Sequence, residues 1–119
     1  MKLLTQAQRQ QLLKNGKRNR ELADQDRDTI DFFPVVKLFC PWGAATWLLT
    51  ELDPDEPEIA FGLCDLGKGF PEIGRISLDE LRAVRGPVGL GMERDIHFKP
   101  EKTLSGYMME ARHTGQIKA

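Results

Sequence analysis

Residues 34–77, PVVKLFCPWGAATWLLTELDPDEPEIAFGLCDLGKGFPEIGRIS, hold four short apolar runs separated by turn chemistry. Consecutive strands joined by tight connections produce this pattern, so the stretch predicts an antiparallel sheet. The runs are 35–39, 45–52, 59–66 and 72–76. Pro41-Trp42-Gly43, the loop DPDEPE at 53–58 and Leu66-Gly67-Lys68-Gly69 divide them. The third run alternates most cleanly. Ile59, Phe61 and Leu63 fall on one side, and Ala60, Gly62 and Cys64 on the other. A strand face of small residues lets another element come close, which predicts a helix packed there.

Helices flank the strands. Residues 5–27 are rich in Gln, Leu, Lys, Arg and Glu, and Thr5 is placed to cap their start. Asn15-Gly16 interrupts the run, and we expect one long helix with a weak point at Gly16. Ser77-Leu78-Asp79-Glu80 reads as a capping box opening a short helix over 78–84, ended by Gly86-Pro87. GPVGLGMERD at 86–95 is a glycine-rich connection, and 96–98 would add a short strand. Thr103 caps a last helix with Leu104, Tyr107, Met108 and Ala111 on one face, stopped at Gly115. The expected fold is α+β: a long N-terminal helix, an antiparallel meander of four or five strands, a short helix after Ser77 and a C-terminal helix. One domain spans 1–119, with a helical arm (1–28), a sheet with the short helix (34–98) and the last helix (103–114).

A chain of 119 residues buries roughly two-thirds of its unfolded surface, enough for a core without staples. The net charge of −1 argues against a protein that wraps nucleic acid over its whole surface. Cys40 and Cys64 form no CxxC pair, and only His97 and His113 are available to complete a zinc site, so both read as reduced thiols. The N-terminal apolar run is too short for a signal-peptide core, and no stretch approaches a membrane span. A cytoplasmic protein is the expectation.

Arg9, Lys14, Lys17, Arg18 and Arg20 put five positive charges on the first helix with no negative one between them. Such a face could lie along phosphates, or be an ordinary solvated surface. Glu51, Asp53, Asp55, Glu56 and Glu58 make an acidic hairpin tip. Pro54, Pro57 and the absence of a glycine and a distal glutamate speak against a calcium loop. The tip serves either solubility or docking of a basic partner. Glu93, Asp95 and His97, joined by Asp65 and Glu72 if these lie near, could hold a divalent metal for phosphoryl chemistry. Arg94 and its neighbours could equally be capping and ion-pair residues. Gly86-x-x-Gly89-x-Gly91 runs in the wrong order for a dinucleotide loop, and Gly67-Lys68-Gly69 lacks the rest of a P-loop. No cofactor is expected. Trp42 and Phe70 sit on turns, where aromatics either anchor a protein partner or fold back over the core.

The pieces KLF, ATWLLTE, FGLCDLG-x-GFPE-x-G and ERD-x-x-F-x-P occur here in combination, and over residues 3–117 the chain resembles the bacterial family called domain of unknown function 2958. The resemblance implies a setting, the cargo of plasmids and integrative elements, and no particular activity. Small cargo proteins of that kind often inhibit or adjust a host process, defence nucleases included. The functional expectation is therefore a non-catalytic accessory protein that binds a protein partner, with inhibition as one mode of action, through Trp42, Asp53, Asp55, Glu56 and Phe70. The alternatives are a metal-dependent hydrolase or nuclease using Asp65, Glu72, Glu93, Asp95 and His97, and a nucleic-acid binder using the basic helix.

Overall fold

The computed structural model describes residues 2–119, so the first residue of the expected 1–28 arm lies outside it. Helix α1 spans Gln6–Asp24. Its start is closed by a reciprocal capping box: Gln8 N–H donates to the Thr5 hydroxyl and Thr5 N–H to the Gln8 side chain. Strands β1 (Val36–Phe39), β2 (Thr46–Leu52), β3 (Ile59–Asp65) and β4 (Glu72–Ser77) follow as a meander. Helix α2 (Leu78–Ala83), a single 3₁₀ turn (Pro87–Gly89), strand β5 (Glu93–Arg94) and helix α3 (Leu104–Thr114) complete the chain. All pairings are antiparallel, in the order β4-β3-β2-β1-β5.

The α+β architecture holds, with three layers. Leu48 and Leu49 are neighbours on β2 and so point to opposite faces. Leu49 joins a cluster with Leu12 of α1, Val36, Leu38, Trp47, Ala60 and Leu81. Leu48 joins Leu63 with Leu104, Tyr107, Met108 and Ala111 of α3. Thus α1 lies over β2 on one face, with Ala60 of β3 in the same cluster, and α3 covers the other; the close approach at Gly62 is to the Leu48 backbone of β2 and not to a helix.

Two details differ from the sequence-based expectation. The fifth strand is Glu93–Arg94, not 96–98. After Arg94, the Asp95 carboxylate accepts the His97 N–H and the Asp95 carbonyl accepts Phe98 N–H, which bends the chain away from β1. The second concerns Gly16. Helix α1 runs through Asn15-Gly16 without a break, and both residues are buried. The buried stripe of α1 is Leu12, Asn15, Gly16, Asn19 and Leu22, so three of its five members are polar or glycine. They face a bulge in β2, where the register shifts between Leu49 and Glu51. Asn15 Nδ2 donates to the Thr50 carbonyl at 3.0 Å, and Asn19 bonds to Glu51 and to both backbone groups of Ile30. Gly16 is a contact point rather than a weak point.

Helix α2 is capped by Ser77, whose hydroxyl accepts Glu80 N–H. Thr103 caps α3, and Gly115 ends it in the left-handed conformation (φ 87°). Asp31 ties the segment after α1 to the start of α3: its carboxylate accepts both the backbone N–H and the hydroxyl of Ser105. No helix among the described residues is long and apolar enough to cross a membrane.

Candidate functional site

Strand β2 leads from the β1–β2 turn to the acidic hairpin, and its seven residues span about 23 Å. Trp42 and Phe70 therefore stand at one end of the sheet, and Asp53, Asp55 and Glu56 at the other. The five expected partner-binding residues do not form one surface.

At the hairpin end, two features legible separately in the sequence neutralise each other. Arg20 pairs with Asp53 (3.3 Å) and Asp55 (2.7 Å), and Arg9 pairs with Glu58 (3.0 Å). Arg75 of β4 adds a second partner to Asp53 at 3.0 Å, and Arg82 of α2 a second partner to Glu58. Asp53 also accepts the N–H groups of Asp55 and Glu56, which shapes the loop. Those backbone donors, with Arg75, outweigh partial burial and hold the Asp53 carboxyl below its usual range. The hydrogen bond from Arg82, helped by the charge of Arg9, does the same for Glu58. Glu51 behaves oppositely: burial pushes its carboxyl up, against the hydrogen bonds from Asn19 and Thr50. Of the expected phosphate-facing set, Lys14 and Lys17 make no ion pair among the described residues, and Arg18 pairs with Glu21 on its own helix.

The expected metal ligands are scattered. Glu72 lies on β4 and Glu93 on β5, the two edges of the sheet, four strand spacings or about 19 Å apart. Asp95 pairs with Lys37 at 3.5 Å. Asp65 is buried and structural: it accepts the Gly67 N–H at 2.8 Å and the Ile117 N–H at 2.9 Å, clamping the C-terminal tail to the end of β3. Among the described residues, no group of three or more His, Cys, Asp or Glu side chains is placed to hold a metal ion. The metal-site grouping is thus corrected by the strand order, which keeps β4 and β5 apart.

The opposite end of the sheet is apolar. A Cβ on Gly67 would lie 2.7 Å from the Ala44 Cβ, and one on Gly86 would lie 2.4 Å from the Trp42 ring. The lack of side chains at these glycines lets three connections close against one another: 40–45, 66–71 and 84–92. Each presents apolar side chains to solvent. Phe70 is 80 % exposed, Leu66 57 % and Val88 97 %, with Trp42 half-covered by Gly86. Val88 sits in the left-handed region (φ 51°), a strained conformation for a β-branched residue. Leu66 and Val88 were not singled out by sequence reasoning. Their one sequence signal is an apolar residue directly before a turn glycine.

Both cysteines are free. Burial raises the Cys64 thiol above its usual range, with Trp47 partly offsetting the effect, which leaves the group a poor nucleophile.

A groove of about 830 Å³ lies between the first turn of α1, the end of α2 and the 89–93 segment. Leu81, Leu90 and Met92 contribute to its wall, together with Lys2, Arg9, Arg82 and Arg85.

Over residues 3–118 the chain matches the family described as protein of unknown function (DUF2958). No curated protein and no solved structure matches it.

Proposed function

The chain belongs to the DUF2958 family, and we propose that it is a non-catalytic accessory protein that binds another protein through the apolar end of its sheet. The observation that supports this most is Phe70, 80 % exposed on a turn whose neighbour Gly67 is packed against Ala44. An aromatic ring held on a close-packed turn loses little conformational freedom on docking and brings a large apolar area. Leu66, Val88 and Trp42 extend the surface across the adjoining connections. The strain at Val88 points the same way, because outliers of this kind persist where the surroundings hold them for a purpose. The acidic hairpin contributes less, since Asp53 and Asp55 already have arginine partners and only Glu56 is left without one among the described residues. The setting that completes this proposal is a plasmid or integrative element whose cargo inhibits or adjusts a host process.

The test is capture by tagged protein from a host carrying the parent element, with and without nuclease. Wild type should enrich one protein under both conditions, and Phe70→Asp should lose it while melting as wild type does. Capture unchanged in Phe70→Asp overturns the site. Capture lost on nuclease treatment transfers the function to Lys14 and Lys17 and to nucleic acid.

A further inference from the structure

We propose that the groove at the start of α1 is a binding site for an acidic segment of a protein partner, one that alternates carboxylates with aliphatic side chains. The inference rests on the reading of the chain as a protein-binding module and names the chemistry of its partner. Two properties of the groove carry it. Its charge is one-sided: Lys2, Arg9, Arg82 and Arg85 line it against a single carboxylate, Glu93. Arg9 is partly neutralised by Glu58, and Arg82 by both Glu58 and Asp79, but Lys2 and Arg85 have no carboxylate partner among the described residues.

Arg85 is also fixed in place. Its guanidinium donates to the carbonyl oxygens of Arg82 and Val84, and it passes close to Gly91. Carbonyl acceptors hold the group without cancelling its charge, so the cation is positioned before any ligand arrives. The first turn of α1 carries no acidic residue, and Thr5 and Gln6 at the positive end of its dipole line the same groove.

The second property is the apolar lining. Leu90 is 41 % exposed and lies beside Met92 and Leu81. A nucleic-acid backbone has no use for such a wall, whereas a leucine or isoleucine between two carboxylates fills it. Charge complementarity therefore selects an acidic polypeptide, and the apolar wall selects one with aliphatic residues.

The probe is a fluorescein-labelled synthetic peptide of alternating Asp-Glu and Leu-Leu pairs, titrated with the full chain and read by anisotropy. The peptide should bind wild type, weaken at least about tenfold in the Lys2→Glu/Arg85→Glu protein, and weaken on raising the salt. Leu90→Ser should weaken it severalfold with little change in salt dependence. Lys14→Glu/Lys17→Glu makes the same change in net charge away from the groove and should bind as wild type. The peptide titration reads the groove and the capture experiment reads the apolar end, so a failed groove and a failed apolar end are told apart. Absence of binding to wild type, equal loss in the two charge variants, or displacement of the peptide by a duplex oligonucleotide would each overturn the proposal. Lys2 and Arg85 make no ion pair that folding depends on, and a melting curve for each variant verifies that it is folded.

Discussion

Gly16 of α1 and Leu52 of β2 approach so closely that a Cβ on Gly16 would stand 1.9 Å from the Leu52 carbonyl oxygen. The obstacle is backbone, which cannot swing aside as a side chain can. The helix reaches the sheet at this depth because Asn15 and Asn19, on the same stripe, satisfy the backbone and side-chain groups around the bulge.

In an exposed helix, replacing glycine by alanine stabilises by about 1 kcal/mol. Here the sign reverses. Gly16→Ala must lift α1 off β2 and is expected to destabilise by about 2–4 kcal/mol, read from denaturant unfolding. A variant as stable as wild type would show that α1 does not seat on β2 this way.

Glu51 gives an unusual pH signature. Its carboxyl is raised by burial, so the folded protein holds this proton more tightly than the unfolded chain. The resulting stability is fully present below the unfolded value of about 4.3 and is lost as pH rises through the folded value. Glu51→Gln keeps an oxygen for Asn19 and removes the buried charge. It should raise stability near neutral pH, and the gain should vanish below about pH 4. Unfolding curves at both pH values decide it, and a neutral-pH loss would count against the account.

Asp53 and Glu58 act with the opposite sign. Both carboxyls are held below their usual range, so their contribution is present above the unfolded value and disappears as pH falls through the folded one. Asp53→Asn/Glu58→Gln should be less stable than wild type at neutral pH and should lose less on acidification. Melting temperature against pH measures both slopes. Parallel curves would mean that these pairs are screened into irrelevance.

Asp65→Ala leaves the N–H groups of Gly67 and Ile117 without their acceptor. The expected cost is about 1–3 kcal/mol, with faster hydrogen exchange at Ile117 than at other protected amides. Asp65→Asn keeps one oxygen acceptor and should lose less. If Ile117 exchanged at an unchanged rate in the alanine variant, the clamp would not hold the tail.

Much of the fold was legible in the residues. Alternation in 59–65, the turn residues between runs and the caps Thr5, Ser77 and Thr103 act over a few positions, and short-range chemistry is visible in a string. The stripe of α1 was less so, because Asn15, Gly16 and Asn19 carry no apolar signal and acquire their burial only against the β2 bulge. The candidate site was legible residue by residue and not as a grouping. Glu72 and Glu93 looked combinable until the strand order placed them at opposite edges. The basic helix and the acidic hairpin looked like two surfaces until Arg20 met Asp53 and Asp55.

Composition, periodicity and capping chemistry thus determined an α+β fold with its three helices and first four strands in this order, because each depends on residues a few positions apart. Tertiary structure alone decided which charges survive pairing, which apolar side chains stay in water and why Gly16, Gly67 and Gly86 are glycine. Those outcomes depend on what arrives from distant parts of the chain, and the distance between Gly16 and the Leu52 carbonyl is set by how a helix docks on a sheet.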